Sequence, residues 1–185
     1  MKIILRNLKV EDINERYISW FKDYEVTRFL EASNITIEDS IKHLNYGIVT
    51  KTYYLFAICV GKNNLHIGNV KVGPIKKKYG ISDLVTFIGD KKYWGQSLGA
   101  KSILLAKDLG FKEAGIRKFS ASIDSLNIAS INAYTKAGFQ IESKINNYFM
   151  HNNNNKIIFS NKLFVGCENK NFSQKKLLNW NPLNE

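Results

Sequence analysis

Proline is scarce in this chain, two in 185 residues, and cysteine and methionine are as scarce, with two each. So little proline beside 44% hydrophobic residues excludes a disordered or proline-rich linker protein. Cys59 and Cys167 stand far apart, without the paired spacings of zinc or redox sites. That excludes a disulfide-stapled fold and predicts reduced thiols in a cytoplasmic protein. No apolar run approaches the ~20 residues of a membrane-spanning helix. The opening MKIILRNLKVED is charged too early for an export signal. Neither membrane nor export is expected, and the N-x-[ST] matches at Asn34 and Asn171 are then coincidental. Acidic residues are the minority charge, 16 against 27 Lys and Arg, for a net charge of +11. Such a surface attracts nucleic acid or a small phosphorylated molecule. The lysines cluster beside turns and the chain end (Lys76, Lys77 and Lys78; Lys91 and Lys92; Lys175 and Lys176) rather than along a helix face. They read as solvated turn residues, and no specific nucleic-acid partner is expected.

What is present is patterning. The length suits one domain, taken here as residues 1–166, with 167–185 a tail of no clear period. Residues 2–8 form a strand candidate. Val10, Ile13, Tyr17, Trp20 and Phe21 then make one helical stripe, and Ile37, Ile41, Leu44 and Ile48 another, opened by a Thr36 to Asp39 capping pair. Residues 53–60, 65–75 and 81–90 read as an antiparallel meander. A helix follows with Leu98, Ile103, Leu105, Ala106 and Leu109 on its buried side, then a strand over 116–123 and a helix stopped by Gly138. A last hairpin pairs FQIES with IIFSNKLFV across HNNNN, which reads as a mobile loop. The histidines, His43, His66 and His151, share no recognisable spacing and read as surface residues.

The stretch YWGQSLGAKSILLAKDLGF, residues 93–111, places Gly95, Ser97 and Gly99 just before a helix. A helix start leaves up to four N–H groups unpaired, and with the helix dipole they form a pocket for an anion that bulky side chains would block. By spacing alone the stretch is an open anion pocket or a plain tight turn. Further on, Asn127, Ser130 and Tyr134 fall within roughly 60° of one another on a regular helix. They either address one ligand or form a cap, a first-turn serine and a half-buried ring. Alternation puts Asp83 on the face of Ile81, Val85 and Phe87, where burial would raise its pKa as befits a base. It is equally an exposed acid at a strand start. Glu25 and Glu31 are rivals.

These motifs together resemble the GNAT N-acyltransferase superfamily, in its RimJ/RimL-like branch. The segment from Trp94 to Gly99 is similar to the [RQ]-x-x-G-x-[GA] acyl-CoA loop, departing at Trp94 and Ser97. NIASINAYTKAGF, WFKDYEVTRFLE and IGNVKVGPI match three further elements in order, over residues 2–142. The resemblance implies a mixed α/β fold: a mostly antiparallel sheet flanked by helices, with acetyl-CoA wedged between two splayed central strands and no metal. It implies cofactor contacts at Phe87, Ile88 and Gly89, at Trp94, Gly95, Gln96, Ser97, Leu98, Gly99 and Ala100, and at Asn127, Ser130 and Lys136. Tyr134 is the implied acid, returning a proton to sulfur, and Asp83 the base through a water. Trp20, Glu25, Arg28 and Phe29 are the implied acceptor-side residues. The expected acceptor is a small primary amine, favoured as a nucleotide-linked amino sugar of surface-polysaccharide synthesis. A protein N-terminus of the ribosomal type is the runner-up, a non-catalytic acyl-CoA module the contrast, and a monomer or homodimer the expected assembly.

Overall fold

The computed structural model describes residues 1–153 and 156–179. Seven strands form one sheet in the order β1 (Ile3–Asn7), β2 (Tyr54–Val60), β3 (Leu65–Lys76), β4 (Ile81–Ile88), β5 (Lys118–Asp124), β7 (Lys156–Glu168), β6 (Gln140–Asn153). Every neighbouring pair is antiparallel except β4 and β5. The expected mixed, mostly antiparallel α/β fold is therefore the observed one. Among the described residues no helix is long and apolar enough to cross a membrane.

Each face of the sheet has its own core. On one, α4 (Leu98–Lys112) and α5 (Ile128–Lys136) cover Val70, Val72, Leu84, Phe119 and Val165. On the other, α1 (Glu15–Lys22), α2 (Tyr24–Thr27) and α3 (Ile37–Thr50) cover Ala57 and Cys59. The Thr36 to Asp39 capping box forms as expected.

Four expectations are corrected. The first helical stripe does not begin at Val10: residues 10–12 make a short 3-10 turn, because Arg6 grips the Asp12 carboxylate at 2.6 and 2.7 Å and Asn14 then caps α1. Leu105 lies outside the core, 40% exposed. Helix α4 instead buries Ser102 and Gly110, the latter because the Phe119 ring occupies the space of any Cβ there. Residues 151–153 of the expected loop belong to β6, leaving Asn154 and Asn155 outside the described residues. The boundary at 166 cuts a strand: Cys167 pairs with Phe119 and Glu168 with Lys118, and Asn169 donates to the Phe111 and Ile116 carbonyls. A short α6 (Gln174–Asn179) follows.

Of the histidines, His43 is exposed as expected, whereas His66 is buried and His151 half-buried. His43 stacks on Tyr53 at 4.6 Å. His66 is 8% exposed, between Trp20 and Tyr17, with Nε2 3.0 Å from the Gly68 carbonyl. Burial lowers the pKa of both below 6.5. The folded protein thus holds them neutral while the unfolded chain takes up protons from about pH 6.5 downward. Stability is then fully present above that value and falls as pH drops toward the folded pKa values. The urea midpoint is expected to decrease between about pH 7.5 and about pH 5. His66→Gln should flatten this decrease; an unchanged slope assigns it to other groups.

Candidate active site

Strands β4 and β5 pair for only three residues, Ile81 to Asp83 against Lys118 to Ser120. Beyond that, β4 stays bonded to β3 as far as Ile88, and β5 to β7 as far as Asp124. The two halves of the sheet diverge with its twist and open a wedge. Tyr134 of α5 closes the apex. Its hydroxyl donates to the Leu84 carbonyl at 2.6 Å. The phenol thus substitutes for the missing strand, satisfying a β4 carbonyl that β5 no longer reaches. It is 4% exposed, and burial pushes its pKa up, so the hydroxyl stays protonated.

The wide end of the wedge is a cleft of about 420 Å³ between the end of β4, the loop before α4, and α5. Trp94 ties this loop to β4 through Nε1 on the Ile88 carbonyl, at 2.8 Å. Gly95 and Ser97 both have positive φ, +75° and +57°. Glycine adopts that backbone freely and serine at a cost, which explains a glycine at the matching family position and makes Ser97 a locally strained substitute. The turn aims the start of α4 into the cleft. The first bond of this helix is Lys101 N–H to Ser97 O, so the N–H groups of Leu98, Gly99 and Ala100 have no intrahelical partner. Asn127 caps α5, its Oδ1 accepting the Ser130 N–H at 3.1 Å, and the first turn of that helix borders the same cleft.

Of the residues assigned to the cofactor, Phe87, Ile88, Trp94, Gly95, Ser97, Leu98, Gly99, Ala100, Asn127, Ser130 and Lys136 line the cleft. Gly89 and Gln96 are not on its wall. Gly89 is glycine because the Trp20 indole lies flat against it, and Gln96 folds back onto the Lys92 carbonyl at 3.1 Å. Trp20 itself is a core residue, 5% exposed, so its acceptor-side role is corrected to fixing the end of β4. Glu25, Arg28 and Phe29 do reach the wall, but the Glu25 carboxylate is held by Lys91 at 2.6 Å.

Asp83 sits beside the apex on the opposite face of the sheet from Tyr134's helix. Its face is less apolar than alternation suggested: Val85 is exposed, Ser120 Oγ donates to Asp83 Oδ1 at 2.6 Å, and Lys71 and Glu31 lie near. Burial lowers the pKa of Lys71, opposed by these two carboxylates. Sequence reasoning missed Lys71, Thr86 and the contact of His151 with Asp124 at 2.8 Å. Their partners lie on different strands, and no spacing along the chain announces them.

An open wedge ending in two helix N-termini suits an extended molecule with a phosphate-bearing end. A model of the acetyltransferase (GNAT) domain matches residues 2–140. The chain belongs to the GNAT acetyltransferase family. It is 22% identical over 151 residues to the uncharacterized N-acetyltransferase p20 of Bacillus licheniformis, covering 80% of this chain and 84% of that one. Among solved structures it is similar to the spermidine N-acetyltransferase of Vibrio cholerae in complex with CoA and spermine. There the TM-score is 0.78 at 16% identity, over 96% of this chain and 98% of that one. It is also similar to the ribosomal-protein-S5-alanine acetyltransferase of Vibrio fischeri, with TM-score 0.73, 14% identity, and 94% and 96% coverage. As a GNAT protein the chain is an acyl-CoA-dependent N-acetyltransferase. The cleft fits that co-substrate: the unpaired amides of α4 offer a pyrophosphate site, and Thr86, Phe87 and Ile88 of β4 border the wedge where an extended amide chain could lie.

Proposed function

We propose that this protein transfers the acetyl group of acetyl-CoA to a primary amine, in the cytoplasm and as a member of the RimJ/RimL-like branch, with a nucleotide-linked amino sugar as acceptor. The observation that carries the reading is the wedge itself, open at the α4 amides and closed at the Tyr134 hydroxyl. Acetyl-CoA supplies a thioester carbonyl, and β4 amides polarise it. Asp83, oriented by Ser120, takes a proton from the attacking nitrogen through a water. Tyr134 gives its proton to the departing sulfur and is reprotonated from the Asp83 side. Arg28 on the cleft wall supports the sugar nucleotide, since a guanidinium there suits a diphosphate.

The test is thiol release from acetyl-CoA with UDP-glucosamine, spermidine and an alanine-initiated peptide. Turnover is expected with the sugar nucleotide above the other two. Fastest turnover with the peptide would move the acceptor to protein N-termini. Acetyl-CoA binding without thiol release from any amine would make the protein a non-catalytic module.

A further inference from the structure

On the acetyltransferase reading above, the acceptor arrives largely as an ammonium at neutral pH and below, since amines titrate between about 8 for an α-amino group and about 10 for a lysine-like alkyl amine, and only the neutral amine attacks. We propose that His151, its ring held by Asp124, is the catalytic base that removes this first proton at the acceptor mouth, before the amine reaches the apex.

Asp124 ends β5 and His151 lies near the end of β6. The imidazole Nε2 is 2.8 Å from Asp124 Oδ2 and 2.9 Å from Ser160 Oγ. The carboxylate is fixed: its side chain is 6% exposed and Oδ1 accepts the Leu126 N–H at 2.9 Å. A carboxylate only accepts, so Nε2 carries the hydrogen and the lone pair is on Nδ1. The ring meets Phe29 edge to face at 6.4 Å, and Phe29 lines the cleft, at the end that the proposed function gives to the acceptor. Three elements bring charge to this place: Asp124 from β5, Lys162 opposite it on β7, and Arg28 over the Phe29 ring. Of these, only Asp124 contacts the imidazole, so the ion pair it forms on protonation has a buried anion.

In the step, an N–H bond of the ammonium breaks and its proton passes to Nδ1, directly or through one water. The nitrogen keeps the electron pair with which it attacks. Asp124 neutralises the imidazolium, which then loses its proton to solvent. The second ammonium proton is the one Asp83 takes and Tyr134 replaces at sulfur, and the third stays in the amide. One proton is released per turnover.

The test uses the full chain, acetyl-CoA and the three amines named above, with kcat/KM followed from about pH 6 to about pH 10. His151→Gln is expected to lose on the order of 10²-fold near pH 6, the low end of this range, where little of any of these amines is neutral. It should recover to within about threefold of wild type above the pKa of the free amine, where the substrate arrives already neutral. KM for acetyl-CoA and the melting temperature should hold. Asp124→Asn, removing the positioning carboxylate, should lose less in the same pH-rescued way, and serves as the readout if His151→Gln melts early. Asp83→Asn should not be rescued. A His151→Gln profile that matches wild type, or that falls equally at every pH, overturns the proposal and leaves the acetyltransfer reading intact. A wild-type protein that binds acetyl-CoA but acetylates none of the amines overturns the reading, and the proposal with it.

Discussion

Tyr134→Phe is expected to lower turnover by about 10²-fold and also to destabilise the fold. The first effect follows from removing the donor that protonates the departing sulfur, the second from what the hydroxyl does in the resting protein. Its bond to the Leu84 carbonyl satisfies a group at the buried apex, and leaving such a group unpaired costs about 1–3 kcal/mol. For a chain of this length each kcal/mol moves the melting temperature by about 2–4 °C. A thermal scan and a thiol-release assay on the same preparation separate the two. Lower stability with unchanged turnover would make Tyr134 a structural strut alone, with another group or water protonating the sulfur. Because burial already holds the phenol protonated, loss of this acid should lower the pH profile evenly across the assayed range and leave the positions of its limbs unchanged.

Gly99→Val is expected to weaken acetyl-CoA binding more than about tenfold while leaving the fold intact, since a side chain there would fill the anion site at the helix start. A Cβ on Gly99 would meet only the Ala133 methyl, at 3.9 Å, and its backbone needs no positive φ. The side chain therefore has room in the cleft between α4 and α5, where the unpaired amides of Leu98 to Ala100 would hold pyrophosphate. Calorimetry on a variant with wild-type melting temperature is the check. Unchanged affinity would remove the pyrophosphate from the α4 start. Gly89 is the contrast: it is packed against Trp20, and its substitution should act on folding.

The loop glycines, the Thr36 to Asp39 cap, the strand alternation and the order of the four motifs could all be read along the chain, because turns, caps and helical stripes depend on residues within a few positions of each other. They were enough for the architecture and for most of the cleft wall. Tertiary structure alone decided what depends on neighbours from other elements. The Trp20 stripe position reads the same whether the indole faces a substrate or, as here, the backbone of Gly89. Tyr134 shares a helical arc with Asn127 and Ser130, yet its hydroxyl turns to β4 because the divergence of β4 from β5 leaves the Leu84 carbonyl without a strand partner there. Asp83 keeps its predicted face but gains Ser120 and Lys71 as neighbours. His151 reads as a loop residue until β6 and β7 pair and set it against Asp124. Local hydrogen bonding and periodicity are encoded over short spans, whereas a side chain's electrostatic partners are chosen by strand register and sheet twist, which only the folded sheet brings into being.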